Sequence, residues 1–464
     1  MTVPFQIPFS CSLHLGVLPA AWKTAHVSPR FKTGNRHSTS SYRPISLTSI
    51  PCKILERIVK DYLIDYLLLN NILSSSQHGF LPRRSCMSNI LSFLNSLTAL
   101  HDHSLHPNVI FFDFAKAFDK VPHSLLIQKL STMGITNPLL KWIEDFLVDR
   151  TFHVKVGTSL SSPAPASSGV PQGSVLGPIL FLLYINDLPD VISSKCLLYA
   201  DDLKIWSHDP VLLQQDILNI QCWSQKWSLP LNLSKCIHLP IHKSIPSSFL
   251  MFSESDELSP ILSTTLTKDL GVWLSNDLSF TEHFWICAKK AFKSLYFIKR
   301  SFSFIDKSSF KILFSSFIRP HLEYCAQAVY SGLKKDQLLI DRVQRKSTKI
   351  VHNVRHLPYP ERLSKLNLFS LDYRRIRGDL ILTFNILRSS SSTEFFTPAH
   401  TNNLRGHDFK LFKQHCQSSI RQNFFSNRTV NLWNSLPLNV LQAPSTNVFK
   451  LRLDLALPSL LNDN

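Results

Sequence analysis

The first half of the chain alternates short apolar runs with amphipathic stretches. The segment NVIFFDF, residues 108–114, is a continuous apolar run and predicts a buried strand. In NPLLKWIEDFLVDR, residues 137–150, apolar residues recur at helical spacing. Asn137 suits the N-cap and Pro138 the first helical position, so this segment predicts a helix.

Two further segments predict strands. In TFHVKVG, Phe152, Val154 and Val156 alternate with polar residues, which indicates a half-exposed strand. The segment CLLYADDLKIW reads as a strand, a tight turn and a second strand. This pattern puts Asp201 and Asp202 side by side at the tip of a hairpin.

The second half is basic and punctuated by loops. Between residues 289 and 377 the pattern is mostly helical, with twenty Lys or Arg residues against six acidic ones. Such segregated charge is more than a merely soluble surface requires. Patches rich in Ser and Pro at 159–169, 244–249 and 388–395 predict loops or linkers.

Composition narrows the class of protein. A chain of 464 residues with 44% hydrophobic residues is a folded protein of two to four subdomains. Its formal net charge of +18 calls for a polyanionic partner. Nucleic acid is the first expectation, and an anionic membrane surface is the second.

The nine cysteines and the apolar segments indicate in which cellular compartment the protein is expected. No CxxC pair occurs and the cysteine count is odd, which argues against a disulfide framework or a zinc site and for a reducing environment. No apolar stretch reaches the ~18 residues of a membrane helix. The apolar N-terminus carries no early positive charge, so we expect no signal peptide.

The paired carboxylates in the apolar hairpin are the main candidate for chemistry. Two like charges about 4 Å apart repel by roughly 4 kcal/mol at an effective dielectric constant of ~20. Turn chemistry explains one Asp, but a bound divalent cation better explains Asp201 and Asp202 together. Asp113 ends the apolar run of the strand predicted within residues 108–114. If this strand lies beside the hairpin, Asp113 and Asp201 could share a site for two Mg²⁺ ions. Because adjacent strand residues face opposite ways, we expect Asp201 and Asp113 to be the principal ligands and Asp202 a weaker one.

Three motifs then indicate a family. FFDFAKAFDKVPH (111–123), SSGVPQGSVLGPILFLLYINDLP (167–189) and YADD (199–202) resemble, in order and spacing, the palm motifs of reverse transcriptases of non-LTR (LINE-type) retrotransposons. YADD alone would be a weak signal, whereas the three together are specific. Segments before and after them, from residue 16 to residue 440, are similar to the same family.

The resemblance implies an α+β fold shaped as a right hand, with an antiparallel palm sheet and a helical, basic C-terminal region. It divides the chain into fingers (1–107), palm (108–285), thumb and post-thumb (286–390) and a C-terminal region (391–464). Elements of this type usually carry an endonuclease upstream, and this chain leaves no length for one. The expectation is that this chain alone does not nick a target.

The implied activity is RNA-directed DNA synthesis, in which deoxynucleoside triphosphates are added to a primer 3′-hydroxyl. The implied cofactor is a pair of Mg²⁺ ions, with Mn²⁺ as a substitute. The implied partners are an RNA template, a DNA primer and dNTPs, without a membrane. We expect a nuclear or cytoplasmic protein that is not secreted.

By resemblance, Asp113, Asp201 and Asp202 are the catalytic, metal-binding carboxylates. Phe118 matches the bulky residue that excludes a 2′-hydroxyl, although the residues alone favour a core position for it. Asp119 is expected to be a turn or capping residue.

Other residues match nucleotide-binding positions. Gln172 and Gly173, in GVPQG, would lie against the incoming nucleotide and the template, and otherwise they form an ordinary turn. Arg43 would bind the triphosphate, since a guanidinium can bind two phosphate oxygens in a bidentate manner. Lys32 is the weaker candidate for the same role. Lys235 would stand near the leaving pyrophosphate as a proton donor, and otherwise it is a solvated surface lysine.

Two competing functions stay open. One is a catalytically silent, nucleic-acid-binding remnant of such an element. The other is an RNA polymerase with the same palm architecture, which predicts the use of ribonucleotides. Phe118 argues against the second.

Overall fold

The structure is a computed structural model that describes residues 3–244, 247–253, 257–389, 392–399 and 407–462. Helices and sheets are mixed along the chain, so the predicted α+β class is confirmed. The strands, β1 to β14 in chain order, are Thr24–Phe31, Tyr42–Leu47, Asn108–Phe112, Arg150–Val156, Ser159–Leu160, Ala164–Ala166, Lys195–Tyr199, Asp202–Ser207, Ile237–Pro240, Leu250–Phe252, Leu258–Pro260, Leu262–Ser263, Leu266–Asp269 and Val272–Ser275.

The α-helices of the described residues are numbered α1 to α21 in the same way. They are Val3–Leu15, Ala20–Lys23, Ile50–Leu69, Cys86–Asp102, Ala117–Lys120, His123–Thr132, Leu139–Leu147, Gly177–Tyr184, Pro210–Lys226, Thr281–Ser301, Lys307–Leu313, Arg319–Glu323, Lys334–Thr348, Tyr359–Leu366, Leu371–Leu387, Ser392–Phe395, Ser419–Asn423, Phe425–Arg428, Val430–Asn434, Leu438–Leu441 and Thr446–Asn462. Short 3₁₀ turns occur at Thr39–Ser41, Leu188–Val191, Leu233–Lys235 and His352–Val354, and a π-helical turn at Phe314–Ile318.

The described residues form two compact units. The first comprises 1–85, 108–238 and 246–263, and the second comprises 86–107, 239–245 and 264–464. The four-part division into fingers, palm, thumb and C-terminal region stays a prediction.

Two five-stranded sheets dominate the first unit, which also contains the small sheet β10-β11. One has the strand order β12-β9-β3-β8-β7, and in it β8 pairs antiparallel with both β3 and β7. The other has the order β2-β1-β4-β5, with β6 also paired to β4. Strand β3 is apolar because it is enclosed: Val109 and Ile110 are fully buried, as the continuous apolar run predicts.

Helix α8 crosses the core of the first unit. Seven of its eight residues are buried, and Pro178 is half-buried. Its first turn is capped from outside the helix by Glu56, whose Oε2 accepts hydrogen bonds from the backbone N–H groups of Val175 (2.7 Å) and Leu176 (2.9 Å). A carboxylate at this position satisfies donors that have no partner within the helix.

The second unit contains the basic helices and, unexpectedly, α4. Arg421, in α17, donates to Asn95 Oδ1 (2.8 Å) and to Thr98 Oγ1 (3.0 Å) in α4. Asp102 Oδ1 accepts from the backbone N–H of Ser418 at 2.7 Å. These bonds join a helix that the sequence assigns to the fingers to the C-terminal part of the chain.

Some local predictions were wrong in detail. The helix predicted over 137–150 spans Leu139–Leu147, because Pro138 lies before the first helical residue and Asn137 Oδ1 accepts from Lys141 N at 3.2 Å. Val156, on the apolar side of the predicted strand, is 64% exposed at the end of β4, where it pairs with Ser159 of β5.

The predicted loops also need correction. The patch at 159–169 contains β5 and β6, since short edge strands tolerate Pro and Ser. The patch at 388–395 includes α16. Residues 245–246 and 390–391 of the predicted loops lie outside the described residues.

Candidate active site

The hairpin predicted at the YADD motif is present. Tyr199 pairs with Asp202, which leaves a two-residue turn of Ala200 and Asp201. Ala200 has a φ of +53°, a left-handed conformation that is costly for a residue with a side chain. Asp201 is therefore in the turn, whereas Asp202 opens β8 with an exposed side chain. The two carboxylates are not equivalent.

Asp113 follows β3 at the same end of the sheet. Phe112 pairs with Leu203, so the chain leaves β3 beside the turn that carries Asp201. Burial raises the pKa of Asp201, and the nearby charge of Asp113 raises it further, while Lys32 and Arg43 act in the opposite direction. Three of the predicted site residues thus act electrostatically on Asp201.

Lys235 contacts Asp113 directly. Its Nζ lies 3.0 Å from Asp113 Oδ2, and the backbone N–H of Asn232 donates to the carbonyl of Asp113 at 2.7 Å. The ion pair is largely exposed, so its contribution to stability is small, at most about 1 kcal/mol. Its effect is local, because it puts a cation on one of the two central carboxylates.

The donor set suits Mg²⁺. In nucleotide-dependent sites this ion is held by one or two carboxylates, and substrate phosphates complete its coordination. Asp113 and Asp201 offer such a pair. Among the residues that the structure describes, no group of three or more His, Cys, Asp or Glu side chains is arranged to hold a metal ion.

Phe118 and Gln172 belong to a second cluster. The half-buried ring of Phe118 stacks on Phe181, with centroids 4.3 Å apart, and meets Phe80 edge-on at 6.3 Å. Gln172 Nε2 donates to Asp119 Oδ1 at 3.0 Å. Phe118 is therefore partly core, and the core interpretation and the sugar-contact interpretation are compatible.

Asp119 has a role that the sequence did not indicate. Burial raises the pKa of its carboxyl group, and its hydrogen bond orients the Gln172 amide. No local pattern could have found this contact, because the two residues are 53 positions apart.

Gly173 has a structural reason to be glycine. Its φ is +120°, and a Cβ atom there would lie 2.3 Å from the backbone oxygen of Ser46 in β2. The GVPQG turn therefore packs directly against the strand that carries Arg43. The backbone N–H of Ser46 also donates to the carbonyl of Gln172 at 2.7 Å.

Helix α10, in the second unit, carries a basic and aromatic outer face. Its exposed cations are Lys289, Lys290, Lys293, Lys299 and Arg300. Its exposed aromatic residues are Trp285, Tyr296 and Phe297. Such a face offers charge for phosphates and rings for stacking.

Within the described ranges, none of the helices has the length and apolarity needed to cross a bilayer.

Part of the chain matches a known protein family. Residues 32–252 match the family described as reverse transcriptase (RNA-dependent DNA polymerase). This range is thus similar to a reverse transcriptase domain, and the predicted right-hand polymerase fold is confirmed. The matched range includes every candidate site residue named above.

Similar curated proteins come from non-LTR transposons. The chain is 28% identical over 309 residues to the probable RNA-directed DNA polymerase from transposon BS of Drosophila melanogaster, covering 62% of this chain and 33% of that protein. It is 29% identical over 290 residues to the RNA-directed DNA polymerase from the mobile element jockey of the same species, covering 59% and 31%. The chain spans about a third of the length of these relatives.

Among solved structures, apo telomerase from Candida tropicalis is 14% identical, with a TM-score of 0.45, over 78% of this chain and 62% of that one.

Proposed function

We propose that the chain is an RNA-directed DNA polymerase of a non-LTR retrotransposon. The observation that carries the proposal is the meeting of Asp113 and Asp201 at one end of the β3–β8–β7 sheet, within electrostatic reach of Lys32 and Arg43. Two carboxylates beside two cations suit a triphosphate that arrives with its metal ions. The reverse transcriptase domain and the transposon relatives support the same reaction.

The metal ions in this proposal are two Mg²⁺ ions, for which Mn²⁺ can substitute. When bound, such a pair would activate the primer 3′-hydroxyl and neutralise charge on the leaving pyrophosphate. Asp113 and Asp201 would hold the ions, and Asp202 would be a weaker ligand or a neighbour that tunes the site. Lys235 would leave Asp113 and turn to the pyrophosphate.

The remaining residues select and orient the substrates. Arg43 and Lys32 would bind the triphosphate of the incoming dNTP. Phe118, held by its stack on Phe181, would exclude a 2′-hydroxyl, while Gln172 would contact the nucleotide or the template.

The template and primer would lie along basic surfaces such as the outer face of α10. Contacts of this kind are independent of sequence and weaken with salt, and an RNA–DNA hybrid is recognised mainly by its shape. A nuclear or cytoplasmic location would suit these partners.

Primer extension on poly(rA)/oligo(dT) with Mg²⁺ and dTTP tests the proposal, with Asp201→Asn as the inactive variant. Asp209→Asn is a matched control, because Asp209 only caps α9 through the backbone N–H groups of Val211 and Leu212. We expect extension by the wild type and by Asp209→Asn. Metal-dependent extension no greater than that of Asp201→Asn would refute polymerase activity and leave a nucleic-acid-binding role.

A further inference from the structure

The turn that carries Asp201 is held by a segment far away in sequence. Residues 76–78 lie beside strand β7: the N–H of Leu198 donates to the carbonyl of Ser76, and the N–H of His78 donates to the carbonyl of Leu198, each at 2.9 Å. Gln77 and Leu198 thus form a parallel bridge. Strand β7 is at the edge of its sheet, so this short segment covers part of that edge.

The side chain of Gln77 reaches the turn itself. Its Oε1 accepts from the backbone N–H of Ala200 at 2.9 Å and from the N–H of Gly79 at 2.7 Å. Its Nε2 makes a longer contact of 3.4 Å with the carbonyl of Ala200. Gln77 is 4% exposed, so water does not readily replace these bonds.

Ala200 needs such support. Its left-handed backbone is unfavourable for a residue with a Cβ atom, and such conformations persist only where the surroundings impose them. The bonds from Gln77 hold both the N–H and the C=O of this one residue. Gly79 packs closely against the same residue, because a Cβ atom there would lie 2.4 Å from the Ala200 nitrogen and 3.1 Å from Gln77 Oε1.

We propose that Gln77 is a positioning residue that sets the metal affinity of the site by fixing the Ala200–Asp201 turn. The proposal rests on the proposed function, because it takes Asp201 as a metal ligand. Groups that orient a metal ligand typically change metal affinity or activity by about 10–100-fold when they are removed. A turn that samples other conformations would present the Asp201 carboxylate correctly for only part of the time.

The test replaces Gln77 by Met, which keeps the length of the side chain and removes its hydrogen bonds. Gln344→Met is the matched control. Gln344 is also buried and also makes two bonds, to the carbonyl of Phe369 (3.0 Å) and from the Tyr359 hydroxyl (2.7 Å), but it lies in the second unit. Both variants should lose similar stability.

Two readouts separate positioning from folding. The first is hydrogen exchange of the metal-free protein, where we expect the Ala200 amide to exchange about tenfold faster in Gln77→Met and to be unchanged in Gln344→Met. The second is primer extension against Mg²⁺ concentration. Here we expect Gln77→Met to raise the half-saturating Mg²⁺ concentration about tenfold, with the rate recovering at high Mg²⁺. Gln344→Met should keep the wild-type requirement.

Unchanged exchange at Ala200 together with an unchanged Mg²⁺ requirement would overturn the proposal. If Gln77→Met does not fold, Gly79→Ala crowds the contact between Gln77 Oε1 and the Ala200 N–H and is expected to give the same two effects. If the wild-type chain does not polymerise, the proposed function fails, while hydrogen exchange still decides whether Gln77 holds the turn.

Discussion

Replacing Phe118 by Ala tests sugar selection at a residue that also belongs to the core. A fully buried Phe→Ala change costs about 3–5 kcal/mol. Because the Phe118 ring is half-buried, packed on Phe181 and edge-on to Phe80, we expect roughly half of that loss, about 2 kcal/mol. The variant should therefore fold.

The same replacement should also weaken discrimination between deoxynucleotides and ribonucleotides. Without a ring to clash with the 2′-hydroxyl, a pocket rejects a substrate that merely adds one hydroxyl by no more than about 10²-fold. We expect the ratio of kcat/KM for dTTP to that for UTP to fall at least tenfold, or about 1.4 kcal/mol of discrimination. Single-nucleotide incorporation on poly(rA)/oligo(dT) measures this ratio.

Phe181→Leu is the control matched in stability. Phe181 is fully buried beneath Phe118, and its replacement by Leu should cost about 1.5 kcal/mol. If only Phe118→Ala relaxes the ratio, the ring acts as a gate. An unchanged ratio in Phe118→Ala would mean that Phe118 is core and nothing more.

Three further outcomes follow from the site. Burial raises the pKa of Asp201 in the folded chain, so its ionised carboxylate destabilises the fold. The stability of the wild type therefore falls as the pH rises from the pKa of Asp201 in the unfolded chain through its higher pKa in the folded chain. We expect Asp201→Asn to melt at a higher temperature than wild type at pH 7 in EDTA and at the same temperature below about pH 4; a lower melting point at pH 7 would contradict this. Lys235→Met should barely change the melting temperature, yet slow single-turnover incorporation about 100-fold and abolish its solvent deuterium isotope effect, if Lys235 donates a proton; a wild-type rate excludes that role. Glu56→Ala leaves the buried N–H groups of Val175 and Leu176 without an acceptor, so urea denaturation should show a loss of about 3 kcal/mol, part of which Glu56→Gln restores.

The elements closest to the chemistry could be predicted because their signals are local. The apolar run before Asp113 and the apolar flanks of Asp201 each indicate a strand within a few residues, and the hairpin follows from its short turn. The order of the three motifs then supplied the fold. Strand and hairpin were confirmed at these positions.

What the sequence could not reveal depends on contacts between distant segments. Gln77 reaches Ala200 across 123 positions, and Asp119 reaches Gln172 across 53. The place of α4 depends on Arg421, more than 300 residues later. None of these contacts has a periodic or motif-level signal, because each is made by one side chain whose partner is chosen by the tertiary fold.

The central claim is that Asp113 and Asp201 jointly hold divalent ions beside a primer end. Its most direct test is anomalous scattering from Mn²⁺ in crystals of the chain with a primer–template and a non-hydrolysable dNTP. We expect Mn²⁺ peaks within about 2.0–2.3 Å of oxygens from both carboxylates. Ions that bind elsewhere, with both carboxylates uncoordinated, would contradict it.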